Sequence, residues 1–248
     1  MTIHVVRAGE SVDSIAAEYG VPPHRLAVDN EVPASGALAV GQTLVVRFPR
    51  EVYAVETGDT LFSIAARYGT TVRQLWRNNW ELGGQDRLTA GGTLVISYFE
   101  ERIGSGVFNG YAYPYINDDL LAAELPFVST VAPFTYGITA SGGLLPLDDE
   151  EILEAAKIRG TKPVMHLSTL TEAGQFDTGR ASFVLTDFEA QERLLAEVLQ
   201  TVLRLGYTGV DVDFEYLPGT LAQAYAGFLG RLRRLLAAQG LFLWAALA

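Results

Sequence analysis

Hydrophobic and polar positions change their spacing near residue 104. Before it, short apolar runs and small helical stretches alternate with Gly, Ser, Thr and Asn. After it, apolar runs of strand length alternate with longer stretches of helical period, which predicts a parallel sheet covered by helices. The expected strands are Gly106–Tyr111, Val128–Tyr136, Pro163–Ser168, Gly209–Glu215 and Leu241–Ala246. The expected helices are Leu120–Ala123, Asp148–Arg159, Asp187–Leu205 and Leu221–Gln239. In the third helix Leu194, Leu195, Val198, Leu199, Val202 and Leu205 fall at helical spacing, with Asp187 as cap and Gly206 as terminator.

The first hundred residues repeat themselves. The stretch His4 to Gly20 recurs 49 residues later as Tyr53 to Gly69. Each copy predicts a strand, a turn at Gly9 or Gly58, and a helix capped by Ser11 or Thr60 and stopped by Gly20 or Gly69. A second short helix follows, ending near Asn30 or Asn79, and then a returning strand: a βααβ unit, twice. These residues resemble the LysM module, a small carbohydrate-binding unit, over 2–47 and 51–97. The resemblance implies that N-acetylglucosamine lies between the first turn and the loop before the last strand. In copy two those positions are Gly58, Asp59, Thr60, Leu61 and Phe62, faced by Asn79, Trp80 and Leu82. Copy two offers Phe62, Trp76 and Trp80, whereas copy one has Asp13, Ala27 and Glu31 at the matching positions, so copy two is expected to be the better sugar binder. Ile15, Ile64, Leu26 and Leu75 read as core, and Trp76 as either core or ligand contact.

The run Gly209-Val210-Asp211-Val212-Asp213-Phe214-Glu215 carries the chemistry of the second part. On a strand, Asp211, Asp213 and Glu215 share one face and the apolar residues take the other. A strand flanked by helices on both sides in sequence has both faces covered. Three carboxylates on a covered face lose hydration and repel one another, a cost that points to function. An acidic outer face in an antiparallel sheet and an oxygen-ligand site for magnesium or calcium are the other readings of the same alternation.

The acidic row resembles the fourth-strand signature of glycoside hydrolase family 18, D-x-x-D-x-D-x-E, with Thr208 standing at the first Asp position. Its order behind LysM units is similar to that of the spore cortex-lytic N-acetylglucosaminidases. The resemblance implies a (β/α)8 barrel over 104–248, truncated after about five strands because some 250 residues make a full barrel. It also implies a retaining, substrate-assisted hydrolysis. Glu215 is then general acid and base, Asp213 holds the substrate's acetamido group, and Asp211 shares a proton with Asp213. Strand-end positions add Tyr111, Tyr136 and Tyr216 as sugar contacts, beside Tyr113, Phe134, His166 and Ser168. His166 also reads as a plain core histidine.

Composition narrows the partners. With 49% hydrophobic and 19% charged residues the chain can build cores. Eighteen basic against 29 acidic side chains give a net charge of −11, and only Lys157 and Lys162 are lysines, so nucleic acid is not an expected partner. With no cysteine and three scattered histidines, no metal site or cofactor is expected. The apolar tract Leu235 to Ala248 is too short for a membrane span. The start, Met1-Thr2-Ile3-His4, does not read as a signal peptide, so synthesis in the cytoplasm of the mother cell and association with the spore coat or cortex are expected. The expected partner is peptidoglycan or a chitin-like N-acetylglucosamine glycan, and a non-catalytic glycan-binding or coat protein is the other reading.

Overall fold

The computed structural model describes residues 1–33, 35, 37–99 and 104–246. Residues 34 and 36 of the first repeat and 247–248 of the expected barrel segment lie outside them. The chain divides into two compact units, Met1–Gly106 and Val107–Ala248.

In the first unit β1 (Thr2–Val5), α1 (Val12–Tyr19), α2 (Pro23–Asp29) and β2 (Thr43–Val46) form one copy. The second copy has β3 (Pro49–Ala54), α3 (Leu61–Arg67), α4 (Val72–Asn78), a 3-10 turn at Trp80–Leu82, and β4 (Thr93–Tyr98). Both strand pairs are antiparallel. The predicted caps form: the Ser11 side chain accepts from Ser14 N while Ser14 Oγ accepts from Ser11 N, and Thr60 and Ser63 repeat the exchange. Each satisfies amides that a first helical turn leaves without a partner. Ile15, Leu26 and Leu44 fill one small core, and Ile64, Leu75, Trp76 and Leu94 the other.

The second unit begins with β5 (Asn109–Ala112), α5 (Asp118–Glu124), β6 (Thr130–Pro133), the short strands β7 (Gly137–Ile138) and β8 (Leu144–Leu145), and α6 (Glu150–Arg159). It continues through β9 (Lys162–Pro163), β10 (Met165–Ser168), α7 (Thr178–Thr186), α8 (Phe188–Leu205), β11 (Gly209–Asp213), α9 (Ala222–Ala237) and β12 (Phe242–Ala245). β5, β6 and β9 are parallel neighbours in that order, and so are β10, β11 and β12. Only Val164 separates β9 from β10, and a parallel bridge from Tyr136 to Leu167 carries the pairing past the end of β6. The result is five parallel strand positions laid down in chain order, each reached through a helical connection, the arrangement of successive βα units.

The β7–β8 pair lies where no strand was expected, and two further elements depart from expectation. The strand expected over Gly209–Glu215 stops at Asp213, whose last sheet partner is Ser168. The helix α7 lies where none was expected; its sequence carries little helical periodicity, and it is held by packing Ala181, Val184 and Leu185 into the same core as α8. Gly209 is required at the start of β11, because a Cβ there would sit 2.7 Å from the Phe242 carbonyl oxygen. Among the described residues no helix is long and apolar enough to cross a membrane.

Candidate active site

β11 sorts its side chains by parity. Val210 and Val212 are fully buried in the core with Leu194 and Val198 of α8, so Asp211 and Asp213 are turned to the other face. Sheet register sets Asp211 beside His166 and Asp213 beside Ser168. The Tyr111 hydroxyl, from the non-adjacent strand β5, donates to Asp211 Oδ2 at 2.8 Å. Burial, and then this bond to a carboxylate, push the Tyr111 phenol up to about 12, so it stays a donor.

Asp213 is held differently. Its Oδ2 lies 3.5 Å from His166 Nε2, and its Oδ1 is buried with no hydrogen-bond partner among the described residues. Burial first, and then the charge of Asp211, raise its carboxyl above the ordinary range. His166 is 1% exposed, and burial holds its imidazole down at about 4 against the attraction of Asp211. At neutral pH the 3.5 Å contact therefore joins a neutral ring to a carboxyl group and is not an ion pair. His166 Nδ1 lies 2.6 Å from Thr135 Oγ1, and the Phe134 ring stacks on the imidazole at 4.8 Å. The peptide bond between Phe134 and Thr135 is cis.

Around the acids stands a partly exposed aromatic group. Tyr113 stacks on Tyr115 and meets Phe134 edge-on, Phe176 meets Phe134 from another side, and Tyr111 meets His166 edge-on. Tyr115 and Phe176 escaped the sequence reading because they lie in loops with no periodic signal, and Thr135, inside the expected strand Val128–Tyr136, carries no local mark of its contact with His166.

Glu215 and Tyr216 do not extend the acidic face. Both lie beyond the strand and are exposed, and Tyr216 takes a left-handed φ of 55° that turns the chain away from the sheet direction. The idea of three carboxylates on one covered face thus holds for Asp211 and Asp213, while Glu215 sits at the open rim. Tyr136 is not a sugar contact: it is 2% exposed, and its hydroxyl donates to Asp149 Oδ2 at 2.6 Å in a buried group completed by the Tyr207 hydroxyl. A cavity of about 1150 Å³ lies away from the acids between α6 and α8, with Lys157, Lys162, Glu197 and Arg204 among its lining. The acids instead lie at the C-terminal ends of parallel strands, where barrels of this type carry their chemistry. No group of three or more His, Asp or Glu side chains fit to hold a metal occurs among the described residues.

In the second repeat the expected sugar contacts divide in two. Leu61 is core, and Asn79 is wholly buried: its side-chain amide donates to the Leu75 and Val95 carbonyls and its oxygen accepts from Val95 N. Asn30 makes the same three bonds in the first copy. These asparagines tie helix to strand, which leaves them no free group for a ligand. Trp76 is core too, its indole donating to the Gln85 carbonyl. Asp59 accepts from the Tyr53 hydroxyl and Glu56 N, bonds that lower its carboxyl. Gly58 turns at φ 92°, Thr60 caps α3, and Phe62 and Trp80 are the exposed rings, at 77% and 36%.

Comparison with known proteins agrees with both units. The LysM domain model matches residues 4–47 and 53–97. The cortical fragment-lytic enzyme of Bacillus subtilis (strain 168) is 29% identical over 254 residues, covering 100% of this chain and 58% of that protein. The crystal structure of the Bacillus cereus spore cortex-lytic enzyme SleL superposes with a TM-score of 0.67 at 27% identity, over 98% of this chain and 57% of that one. A class V chitinase from Pseudomonas fluorescens Pf-5 shares the fold, with a TM-score of 0.52 at 23% identity over 56% of this chain and 44% of that one. The chain spans about half the length of the curated relatives it matches. Residues 4–47 and 53–97 match the LysM domain, and the chain over nearly its whole length resembles the spore cortex-lytic enzymes.

Proposed function

We propose that the chain is a glycosidase of the family 18 type that cleaves β-1,4 bonds next to N-acetylglucosamine in spore cortex peptidoglycan. The observation that carries this reading is the pair Asp211 and Asp213 at the end of β11, with Asp213 Oδ1 buried and unpartnered beside an aromatic surface. A buried acceptor without a donor is costly, and an acetamido N–H supplies that donor.

In this mechanism the substrate's acetamido oxygen bonds to the anomeric carbon as the bond to the leaving sugar breaks. Glu215 gives its proton to the leaving oxygen and later takes one from the attacking water. Asp213 accepts from the acetamido N–H of the oxazolinium ion, and Asp211, held by Tyr111, supports Asp213. Tyr111 and Tyr216 contact the sugar, and no cofactor takes part. Residues 2–47 and 51–97 act as LysM modules that hold the glycan, chiefly through Phe62 and Trp80 of the second, and residues 104–248 act as the barrel part. The similarity to cortex-lytic enzymes supports peptidoglycan at the spore as the setting.

The test is to incubate cortex peptidoglycan and chitin with the chain and with Glu215→Gln, following new reducing ends and product masses. Products ending in N-acetylglucosamine, lost in Glu215→Gln, carry the reading. Binding without cleavage establishes the second reading, a glycan-binding wall protein, which the exposed position of Glu215 beyond the strand favours.

A further inference from the structure

His166 is a deeply enclosed polar side chain of the site, 1% exposed, and it touches both acids' surroundings at once. It lies on β10 between Thr135 and Phe134 at the end of β6 and the acids of β11. Its ring is packed between Phe134, stacked at 4.8 Å, and Tyr111, edge-on at 5.3 Å, which fixes the plane of the imidazole. The titratable groups facing it are Tyr111 from β5 and Asp211 and Asp213 from β11.

The contacts of the two ring nitrogens favour one tautomer. Thr135 Oγ1 lies 2.6 Å from Nδ1 and within reach of the Tyr136 and His166 carbonyls at 3.0 and 3.2 Å; the ring contact is the shortest of the three, which favours the hydroxyl donating to Nδ1. A Nδ1 that accepts leaves the proton on Nε2, the nitrogen 3.5 Å from Asp213 Oδ2. The opposite tautomer would aim a lone pair at a carboxylate. Oδ2 faces this nitrogen at 3.5 Å, longer than a formed hydrogen bond, and Oδ1 is buried without a partner.

We propose that His166 is a positioning residue for the reaction: with Thr135 on one ring nitrogen and Asp213 Oδ2 on the other, it fixes the Asp213 carboxyl so that Oδ1 faces the substrate's acetamido group. This rests on the hydrolase reading above. The 3.5 Å contact shortens when substrate excludes water, as catalytic hydrogen bonds often do.

Nitrogen-15 spectra of the histidine-labelled full chain at pH 7 test the tautomer without any substitution. The expected result is a protonated Nε2 and an unprotonated Nδ1 for His166; the reverse overturns the proposal. Carbon-13 titration of Asp213 then compares wild type with two variants. His166→Phe keeps an enclosed ring but removes the donor and is expected to raise the Asp213 midpoint by about one pH unit. His166→Gln returns an N–H near the same place and is expected to restore most of that difference. Equal midpoints in all three proteins overturn the proposal. Cortex cleavage by wild type is read in parallel. Cleavage with equal midpoints removes His166 alone, whereas the expected spectra with no cleavage remove the hydrolase reading and leave the contact a structural one.

Discussion

The Tyr111 hydroxyl reaches Asp211 Oδ2 at 2.8 Å across 100 positions of sequence and across the two strands that separate β5 from the acidic strand. Asp211 is 4% exposed, so this phenol stands where water would otherwise solvate a carboxylate. A hydrogen bond to a charged group contributes on the order of 1.5–3 kcal/mol. Tyr111→Phe keeps the ring against His166 and removes only the donor. It is expected to lower glycan cleavage by about 10- to 100-fold, read as initial rates on cortex peptidoglycan, with the thermal midpoint changed far less than by Tyr111→Ala.

The repeat and its caps were legible because they are local: Ser11 and Thr60 cap helices three residues away, and the copies announce each other by recurrence. The parity of the acidic strand was legible for the same reason. What the sequence hid was tertiary. Nothing local marks Asn79 as a tie between α4 and β4, or Tyr136 as pointing toward Asp149 instead of the acids. Nor does alternation say where a strand stops: β11 ends close to where its neighbours end, two residues short of Glu215. Thr135 and His166 meet only because β6 and β10 are aligned side by side.

Asp213 gives the pH dependence its sign. Its carboxyl is raised above 3.8 in the folded chain by burial and by Asp211. Between that ordinary value and the folded one the native state binds more protons than the unfolded state, so stability falls as pH rises through the window and the deficit is complete above it. Asp213→Asn is neutral throughout and escapes the deficit. The variant is expected to melt above wild type at pH 7, with the gap closing as pH is lowered toward 4, and to lose cleavage. Calorimetry at a series of pH values checks this; a gap that widens on acidification contradicts it.

Asp149 carries a different load. It is 5% exposed and accepts from the hydroxyls of Tyr136 and Tyr207, which are 2% and 3% exposed. Burial and the carboxylate push both phenols upward, which keeps them neutral donors. Asp149→Ala leaves two enclosed hydroxyls without an acceptor, each costing on the order of 1–3 kcal/mol. The expected loss is about 2–5 kcal/mol in urea unfolding, and Asp149→Asn, which keeps one acceptor oxygen, is expected to lose less. Asp149 stands at the N-cap of α6 without a side-chain capping bond, so a lost cap does not account for the effect.

In the second repeat, folding and binding can be separated by substitution. Asn79 makes three hydrogen bonds to backbone and is wholly buried, so Asn79→Ala leaves Val95 N–H and two carbonyls to find other partners. It is expected to cost about 2–4 kcal/mol of stability while leaving glycan binding per folded molecule unchanged. Phe62 is 77% exposed, and its replacement by alanine is expected to shift stability by about 0.5 kcal/mol or less, whereas that of Trp80, 36% exposed, is expected to cost more because most of its ring is covered. Because a ring stacked on another face contributes about 0.5–1.5 kcal/mol, each of Phe62→Ala and Trp80→Ala should weaken sedimentation with insoluble peptidoglycan by roughly two- to tenfold. Asp13→Ala and Glu31→Ala at the matching places of the first copy, which offer no ring, should leave it unchanged. Equal loss from substitutions in both copies would mean that stacking in the second domain does not dominate the binding.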